Sequence, residues 1–276
     1  MNSIKQLLAA TADLPSDVAA DAPLLLAHVL GKDRSWLYAW PEQPLTSDHI
    51  AQFHALLQRR RAGEPLAYLT GQKEFWSLQL SVTPATLIPR PETELLVESA
   101  LALPLRQAAQ VLDLGTGSGA IALALATERP QWQLSATDIS PEALEIASKN
   151  AANHRIDNIR FVHSHWFEQL DAHRTYDLIV SNPPYVAQGD PHLLEDGLPH
   201  EPAGALTSGP EGLDDLRIII GNAPEFLLAD GWLLVEHGMD QGSDVRQLFR
   251  QAGFTHIETR QDLAQRDRLT LGCYPR

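Results

Sequence analysis

Three glycines within five residues, Gly115, Gly117 and Gly119, punctuate the run Asp113-Leu114-Gly115-Thr116-Gly117-Ser118-Gly119-Ala120. Glycine lets a chain turn sharply and lets a ligand approach the backbone with no Cβ in the way. The run follows a strand pattern and opens a helical one, which is where open α/β sheets bind ligands. It satisfies the Gly-x-Gly-x-x-Ala spacing of dinucleotide sites. Asp138 ends the next strand pattern, where its carboxylate can accept hydrogen bonds from two ribose hydroxyls. Nicotinamide dinucleotides and S-adenosylmethionine both present such a ribose. The loop and Asp138 therefore leave hydride transfer and methyl transfer both open. The bland alternative is a tight strand–helix turn that holds nothing. Asp113 either helps hold a cationic ammonium group or anchors the loop.

A second run, Ser181-Asn182-Pro183-Pro184-Tyr185, directly follows another strand pattern. Two consecutive prolines lack N–H donors and hold the backbone rigid and extended, while their carbonyls remain acceptors. Asn182 adds a side-chain acceptor and Tyr185 an aromatic face. A rigid acceptor pair beside an aromatic plate suits a planar NH2 group: both N–H bonds are held and the nitrogen lone pair is aimed out of the plane. A proline-rich loop with a packed tyrosine is the plain alternative.

Other candidates carry less. His163, His165 and His237 form no metal-ligand spacing and read as structural or surface residues, and no metal site is expected. Glu92 and Glu94 suit the dipole at a helix N-terminus. Arg59-Arg60-Arg61 reads as a solvated helix end that complements the dipole, with docking of an acidic partner as the minor alternative.

The elements that must position these residues follow from periodicity. Residues 1–73 read as a small helical bundle, with Ile4, Leu7, Leu8, then Leu24, Leu25, His28, Val29, then Ile50, Phe53, Leu56, Leu57 at helical spacing. Ser16 or Asp21 is the expected cap of one helix and Ser47 of another. Residues 74–90 read as a linking β-hairpin. Phe75 to Val82 alternate with period two as one strand, Pro84 turns the chain, and Thr86-Leu87-Ile88 returns. Pro91 suits the first residue of a helix. Residues 91–276 then alternate strand and helix, with strands at 110–114, 133–137, 159–163, 176–181 and 231–236. This predicts an α/β fold, a parallel sheet with helices on both faces. Strands at 254–260 and 268–274 have no helix between them, so the last strand must run antiparallel.

Composition narrows the classes. The 276 residues suit one large domain or two modest ones, and 44% apolar residues suffice for a core. No apolar run is long enough to span a membrane. No signal peptide is read at the N-terminus. Cys273 is the only cysteine, which excludes an intramolecular disulfide and a Cys-based zinc site. The default expectation is a cytoplasmic protein. The whole net charge of −14 falls after residue 90, because earlier acidic and basic residues balance. Such a chain lacks the Lys/Arg excess on which broad nucleic-acid binding depends.

The Asn-Pro-Pro-Tyr run marks a resemblance to S-adenosylmethionine-dependent methyltransferases that act on planar NH2 groups of adenine, guanine or glutamine. Further runs resemble the release-factor glutamine methyltransferase family, also called HemK or PrmC. They are Gly63-Glu64-Pro65-Leu66-Ala67-Tyr68, Gly71-Gln72-Lys73-Glu74-Phe75-Trp76, Leu87-Ile88-Pro89-Arg90-Pro91-Glu92-Thr93-Glu94, Asp113 to Gly119 and Val235-Glu236-His237-Gly238. The match covers essentially the whole chain. His200 departs from it, standing where the family has an aromatic before Glu201-Pro202.

The resemblance implies a Rossmann-like methyltransferase sheet behind an N-terminal helical domain that recognises the substrate. It implies S-adenosylmethionine as cofactor, S-adenosylhomocysteine as product, and no metal. It implies peptide chain release factors as partners, methylated on the side-chain nitrogen of the glutamine in their Gly-Gly-Gln motif. Carried residue by residue, it assigns Gly115, Thr116, Gly117, Ser118, Gly119, Asp138, Trp166 and Asn182 to the cofactor, with Trp166 against adenine; ordinary core packing is the alternative for Trp166. Asn182, Pro183, Pro184 and Tyr185 fall to the substrate, and Asn182, Pro183 and Tyr185 to the chemistry. A paralogous family methylates a glutamine of a large-subunit ribosomal protein, and nucleic-acid amino methyltransferases share the motif. A non-catalytic nucleotide-binding adaptor is a third class.

Overall fold

The computed structural model describes residues 3–195 and 197–275. Two compact units result: residues up to Gln72 together with Leu194–His200, and Lys73–Leu193 together with the chain from Glu201 on. Met1, Asn2, Asp196 and Arg276, at which some expected boundaries fall, lie outside the described residues.

The first unit holds helices α1 (Ile4–Ala9), α2 (Ser16–Leu30), α3 (Arg34–Ala39), α4 (Ser47–Arg61) and α5 (Leu66–Thr70). Their apolar stripes meet in one core around Leu7, Leu25, Leu26, Leu37, Phe53 and Leu57. Two expected caps move. Thr46, not Ser47, caps α4 by accepting from the His49 N–H at 3.1 Å. Pro15 precedes α2 with no side-chain cap, and Asp21 lies within α2, accepting from Arg60 Nε at 2.7 Å. Arg60 also reaches Asp17 and Arg59 reaches Glu64. Two members of the basic run are thus paired with carboxylates of their own unit.

The hairpin is real but shifted. Its strands are β1 (Gln72–Phe75) and β2 (Leu78–Ser81), so the expected single strand is broken near its start, and Thr86–Ile88 is not a strand. Trp76 and Ser77 form the turn, both left-handed at φ 50° and 61°. Neither is the Gly or Asn that advertises such a turn. Tertiary contacts hold it instead: the Trp76 N–H donates to Glu94 Oε1 and its indole N–H to Glu128 Oε1, each at 2.9 Å. Ile88 gives its N–H to the Glu201 carboxylate at 3.0 Å rather than to a strand.

A short 3-10 turn at Pro91–Thr93 leads into α6 (Glu94–Leu101). Then follow β3 (Gln110–Leu114), α7 (Ala120–Glu128), β4 (Gln133–Asp138), α8 (Pro141–His154), β5 (Ile159–His163), β6 (Tyr176–Ser181), α9 (Asp214–Phe226), β7 (Leu227–Glu236), α10 (Gly242–Gln251), β8 (Thr255–Gln261) and β9 (Asp267–Tyr274). The sheet order is β5-β4-β3-β6-β7-β9-β8. Strands β3 to β7 are parallel; β9 inserts between β7 and β8, antiparallel to both. The strand alternation sorts the two faces. Val111, Leu134, Leu178, Val180 and Leu234 share a core with α6 and α7. Leu112, Leu114, Ile179, Leu233 and Val235 share another with α9 and α10. The sheet is thus mostly parallel with antiparallel final strands, as the strand–helix alternation predicts.

Candidate functional site

Leu114 pairs with Thr137 of β4 on one side and with Ser181 of β6 on the other. The glycine loop, Asp138 and Asn182 therefore leave three neighbouring strands at one edge of the sheet. The crossover from β3 runs toward β4 and β5, and the next returns to β6, so the edge between β3 and β6 is the topological switch point where ligands bind.

These ends open onto a cavity of about 560 Å³. Of the residues assigned from sequence to cofactor or substrate, Gly115, Gly117, Asp138, Trp166, Asn182 and Pro184 line it. Thr116, Ser118, Gly119, Pro183 and Tyr185 do not. Ile139, Ala143, Thr86, Leu87, Pro202 and Asp215 are among its other walls.

The loop residues behind the wall shape it. Gly115 and Gly119 are left-handed, φ 71° and 86°. A Cβ on Gly115 would come within 3.2 Å of the Trp166 ring, and one on Gly119 within 3.0 Å of Leu123. The Thr116 hydroxyl donates to Asp113 Oδ2 at 2.6 Å. Asp113 is fully buried, and burial pushes its carboxyl up to about 7. Of the two roles open to Asp113, this contact is the anchor. The Ser118 carbonyl accepts from Asn150 Nδ2 at 2.9 Å, and Asn150 also exchanges bonds with both main-chain groups of Ser81.

Asp138 Oδ2 accepts from the Gly117 N–H at 2.8 Å and Oδ1 from the Ser140 N–H at 2.9 Å. Burial raises its pKa, and these backbone donors work against that rise. The Ile139 N–H acts on the same carboxylate, which as a four-site acceptor still has capacity for a ligand. Trp166 is left-handed at φ 48°, and its indole N–H donates to Asp215 Oδ1 at 3.1 Å. Sequence reasoning passed over Asp215, because an acidic pair at a helix start reads as dipole complement.

Asn182 Nδ2 donates to the buried hydroxyl oxygen of Thr93 at 3.1 Å. Tyr185 does not present its ring to the cavity. It packs with the α9–α10 core, and its hydroxyl donates to Glu236 Oε1 at 3.2 Å. Burial raises the pKa of both, that of Glu236 to about 7. Glu201, beside the atypical His200, is buried and holds the Ile88 N–H and the Arg90 guanidinium.

The histidines have local partners. His163 bonds the Ile139 carbonyl, His165 pairs with Glu168, and buried His237 lies between the Gly238 carbonyl and the Thr270 hydroxyl. Among the described residues no cluster of side chains could hold a metal ion. Nor is any described helix long and apolar enough to cross a membrane.

Comparison with known proteins adds to this geometry. A family model described as the PrmC N-terminal domain matches residues 2–71, and one described as the methyltransferase small domain matches residues 91–209. The release factor glutamine methyltransferase of Vibrio cholerae is 50% identical over 98% of this chain and 93% of its own length. That of Escherichia coli is 49% identical over 92% and 91%. Among solved structures, a 16S rRNA methyltransferase of T. thermophilus, in complex with AdoMet and guanosine, superposes with a TM-score of 0.53 at 19% identity, covering 74% of this chain and 50% of that one. This last likeness is one of fold.

Proposed function

The chain belongs to the release factor glutamine methyltransferase family, and from that membership we propose that it methylates the side-chain amide nitrogen of the glutamine in the Gly-Gly-Gln motif of peptide chain release factors. The observation that carries this reading is the pairing of Leu114 with Ser181, which opens the glycine loop and the Asn-Pro-Pro-Tyr run onto one cavity.

The residues present fit S-adenosylmethionine. A Cβ at Gly117 would project into open space, so the loop leaves room beside its backbone. Asp138 retains acceptors for a ribose diol, Trp166 offers a flat wall, and Ile139 and Ala143 offer apolar contact for a purine. When bound, S-adenosylmethionine supplies an electrophilic methyl group on a sulfonium, a reaction that calls for no metal.

An amide nitrogen is a poor nucleophile because its lone pair is delocalised into the carbonyl. No base need remove a proton first. The Asn182 side-chain oxygen and the Pro183 carbonyl accept its two N–H bonds and hold it in line. The same acceptors act more strongly as the nitrogen gains positive charge, which is differential stabilisation of the transition state; the methylated nitrogen then gives up one of its two protons to solvent. Pro184 and Tyr185 fix the loop, Tyr185 through its bond to Glu236.

The helical first unit contributes none of the cavity-lining residues named above. Its proposed task is to bind the body of the release factor. Its proposed location is the cytoplasm, where translation factors act.

The test is mass spectrometry of release factor incubated with the protein and S-adenosylmethionine. A gain of one methylene on the Gly-Gly-Gln peptide is the expected result. Modification of a large-subunit ribosomal protein or of nucleic acid, with release factor untouched, would overturn it.

A further inference from the structure

Asn182 must face the cavity with the oxygen end of its amide, a requirement that rests on the role proposed for it above. A primary amide carries an acceptor and a donor of nearly the same shape. Only the oxygen can hold an NH2 group; the NH2 end would oppose it donor to donor. Something must choose between two orientations related by a half-turn.

We propose that Thr93 makes this choice, accepting a hydrogen bond from Asn182 Nδ2 and so turning Oδ1 toward the substrate. Thr93 is 3% exposed, and the bond measures 3.1 Å. Its own position is fixed by the 3-10 turn, in which its N–H donates to the Arg90 carbonyl at 3.1 Å. Asn182 lies on the loop after β6, 89 residues further along the chain. The contact therefore ties the linker run to the reacting loop.

A hydroxyl alone cannot dictate direction, since it both donates and accepts. The direction comes from what faces its proton. Val235 pairs with Ser181, so Glu236 and Asn182 leave adjacent strands together. The Glu236 carboxyl is 1% exposed; Oε1 takes the Tyr185 hydroxyl, and Oε2 has no close partner of its own. Burial raises the pKa of this carboxyl to about 7; the Thr93 and Tyr185 hydroxyls and Arg268 pull against that rise, and Glu92 adds to it. Once ionised, above about pH 7, this carboxylate only accepts. With its proton turned toward Glu236, Thr93 has only a lone pair left for Asn182, which must then offer Nδ2. Thr93 is a positioning residue, and Glu236 sets its polarity.

The experiment uses the full chain with release factor and S-adenosylmethionine, and compares Thr93→Val, Thr93→Ser, Asn182→Ala and the Thr93→Val/Asn182→Ala double variant. Valine keeps the shape and removes the hydroxyl. Thr93→Val is expected to lower kcat about tenfold, with the KM for S-adenosylmethionine and the Tm nearly unchanged. Thr93→Ser should restore most of the rate. In the Asn182→Ala background, Thr93→Val should cost nothing further. Equal losses in kcat, cofactor affinity and Tm for Thr93→Val, without rescue by serine, would make Thr93 merely structural and overturn the proposal. Full activity in Thr93→Val beside a dead Asn182→Ala would overturn it while leaving the reading of Asn182 standing. Full activity in Asn182→Ala would remove both.

Discussion

The Ser181 hydroxyl donates to the Leu114 carbonyl at 2.8 Å, across a pair of residues that are also register partners in the parallel sheet. One bond thus closes the last rung between the strand that delivers the glycine loop and the strand that delivers Asn182. The rigid sheet, not the loops, sets the distance between the glycine loop, the proposed cradle of the methyl donor, and Asn182, the proposed acceptor for the substrate nitrogen. Loops that diverge from one rung need few further contacts to keep a shared geometry, and those contacts are where substitutions should be read.

Asp138 is the first such place. It receives two backbone N–H bonds, one from the glycine loop itself, and in the proposed complex it would also receive ribose hydroxyls. A hydrogen bond to a charged group is worth about 1.5–3 kcal/mol. Asp138→Ala should therefore weaken S-adenosylmethionine binding by roughly 10- to 100-fold, more than any fall in Tm accounts for. Calorimetry showing unchanged affinity would take Asp138 out of the site.

Two buried carboxyls predict how stability depends on pH. Asp113 and Glu236 are both held up to about 7 by burial. Unfolded, they lose their protons near 3.8 and 4.5. Between those values and about 7 the folded protein binds more protons than the unfolded chain, so its stability falls as pH rises and levels off above that range. The Tm should decline from about pH 5 to about pH 7. Asp113→Asn keeps an acceptor for Thr116 and cannot ionise, so its decline should be shallower. An unaltered slope in that variant would mean that Asp113 titrates normally.

What could be read from sequence was whatever repeats or clusters locally. The strands that deliver both motifs show as period-two or apolar runs, and the loops follow them directly. What could not be read depends on partners far along the chain. The Trp76–Ser77 turn has no turn residue and is held by Glu94 and Glu128. Thr93 stood between two glutamates that a helix dipole explains, and its partner Asn182 is remote. Tyr185 showed as an aromatic plate, but nothing nearby in sequence reveals that Glu236 draws its hydroxyl inward. Asn150 sits on a helix face among alanines, with no local sign that it is fully buried.

That last residue makes a sharp prediction. Asn150 accepts from the Ser81 N–H at 2.8 Å and donates to the Ser81 and Ser118 carbonyls at 3.0 and 2.9 Å. Asn150→Ala would leave three backbone groups without their partner. Each unsatisfied buried group costs about 1–3 kcal/mol, so a loss of at least about 2 kcal/mol in urea unfolding is expected. Asn150→Asp should be no better, since it turns an acceptor toward two carbonyls. Because Ser118 lies in the glycine loop, both variants should also bind S-adenosylmethionine more weakly. A change below about 0.5 kcal/mol in Asn150→Ala would show that the hairpin and loop are held by other means.

A pocket for one amide cannot by itself distinguish one glutamine from all others, because specificity is a difference of affinities over a larger surface. The first unit has its own core, and it presents two large aromatics to solvent, Tyr38 at 61% and Trp40 at 58% exposure. The Arg34 guanidinium lies 5.6 Å over the Tyr38 ring and Lys32 Nζ 5.6 Å over that of Trp36. Exposed aromatics with neighbouring cations are the residue types that dominate binding energies at protein interfaces. Replacing Tyr38 and Trp40 together by alanine touches no core residue, so folding and cofactor binding should persist. The KM for folded release factor should rise about tenfold or more. Turnover of a short Gly-Gly-Gln peptide, which has no body to dock, should stay the same. If both substrates suffer alike, the unit supports the catalytic domain rather than the partner. If neither suffers, the docking face lies elsewhere on the unit, and the same paired assay can be carried to its other exposed helices.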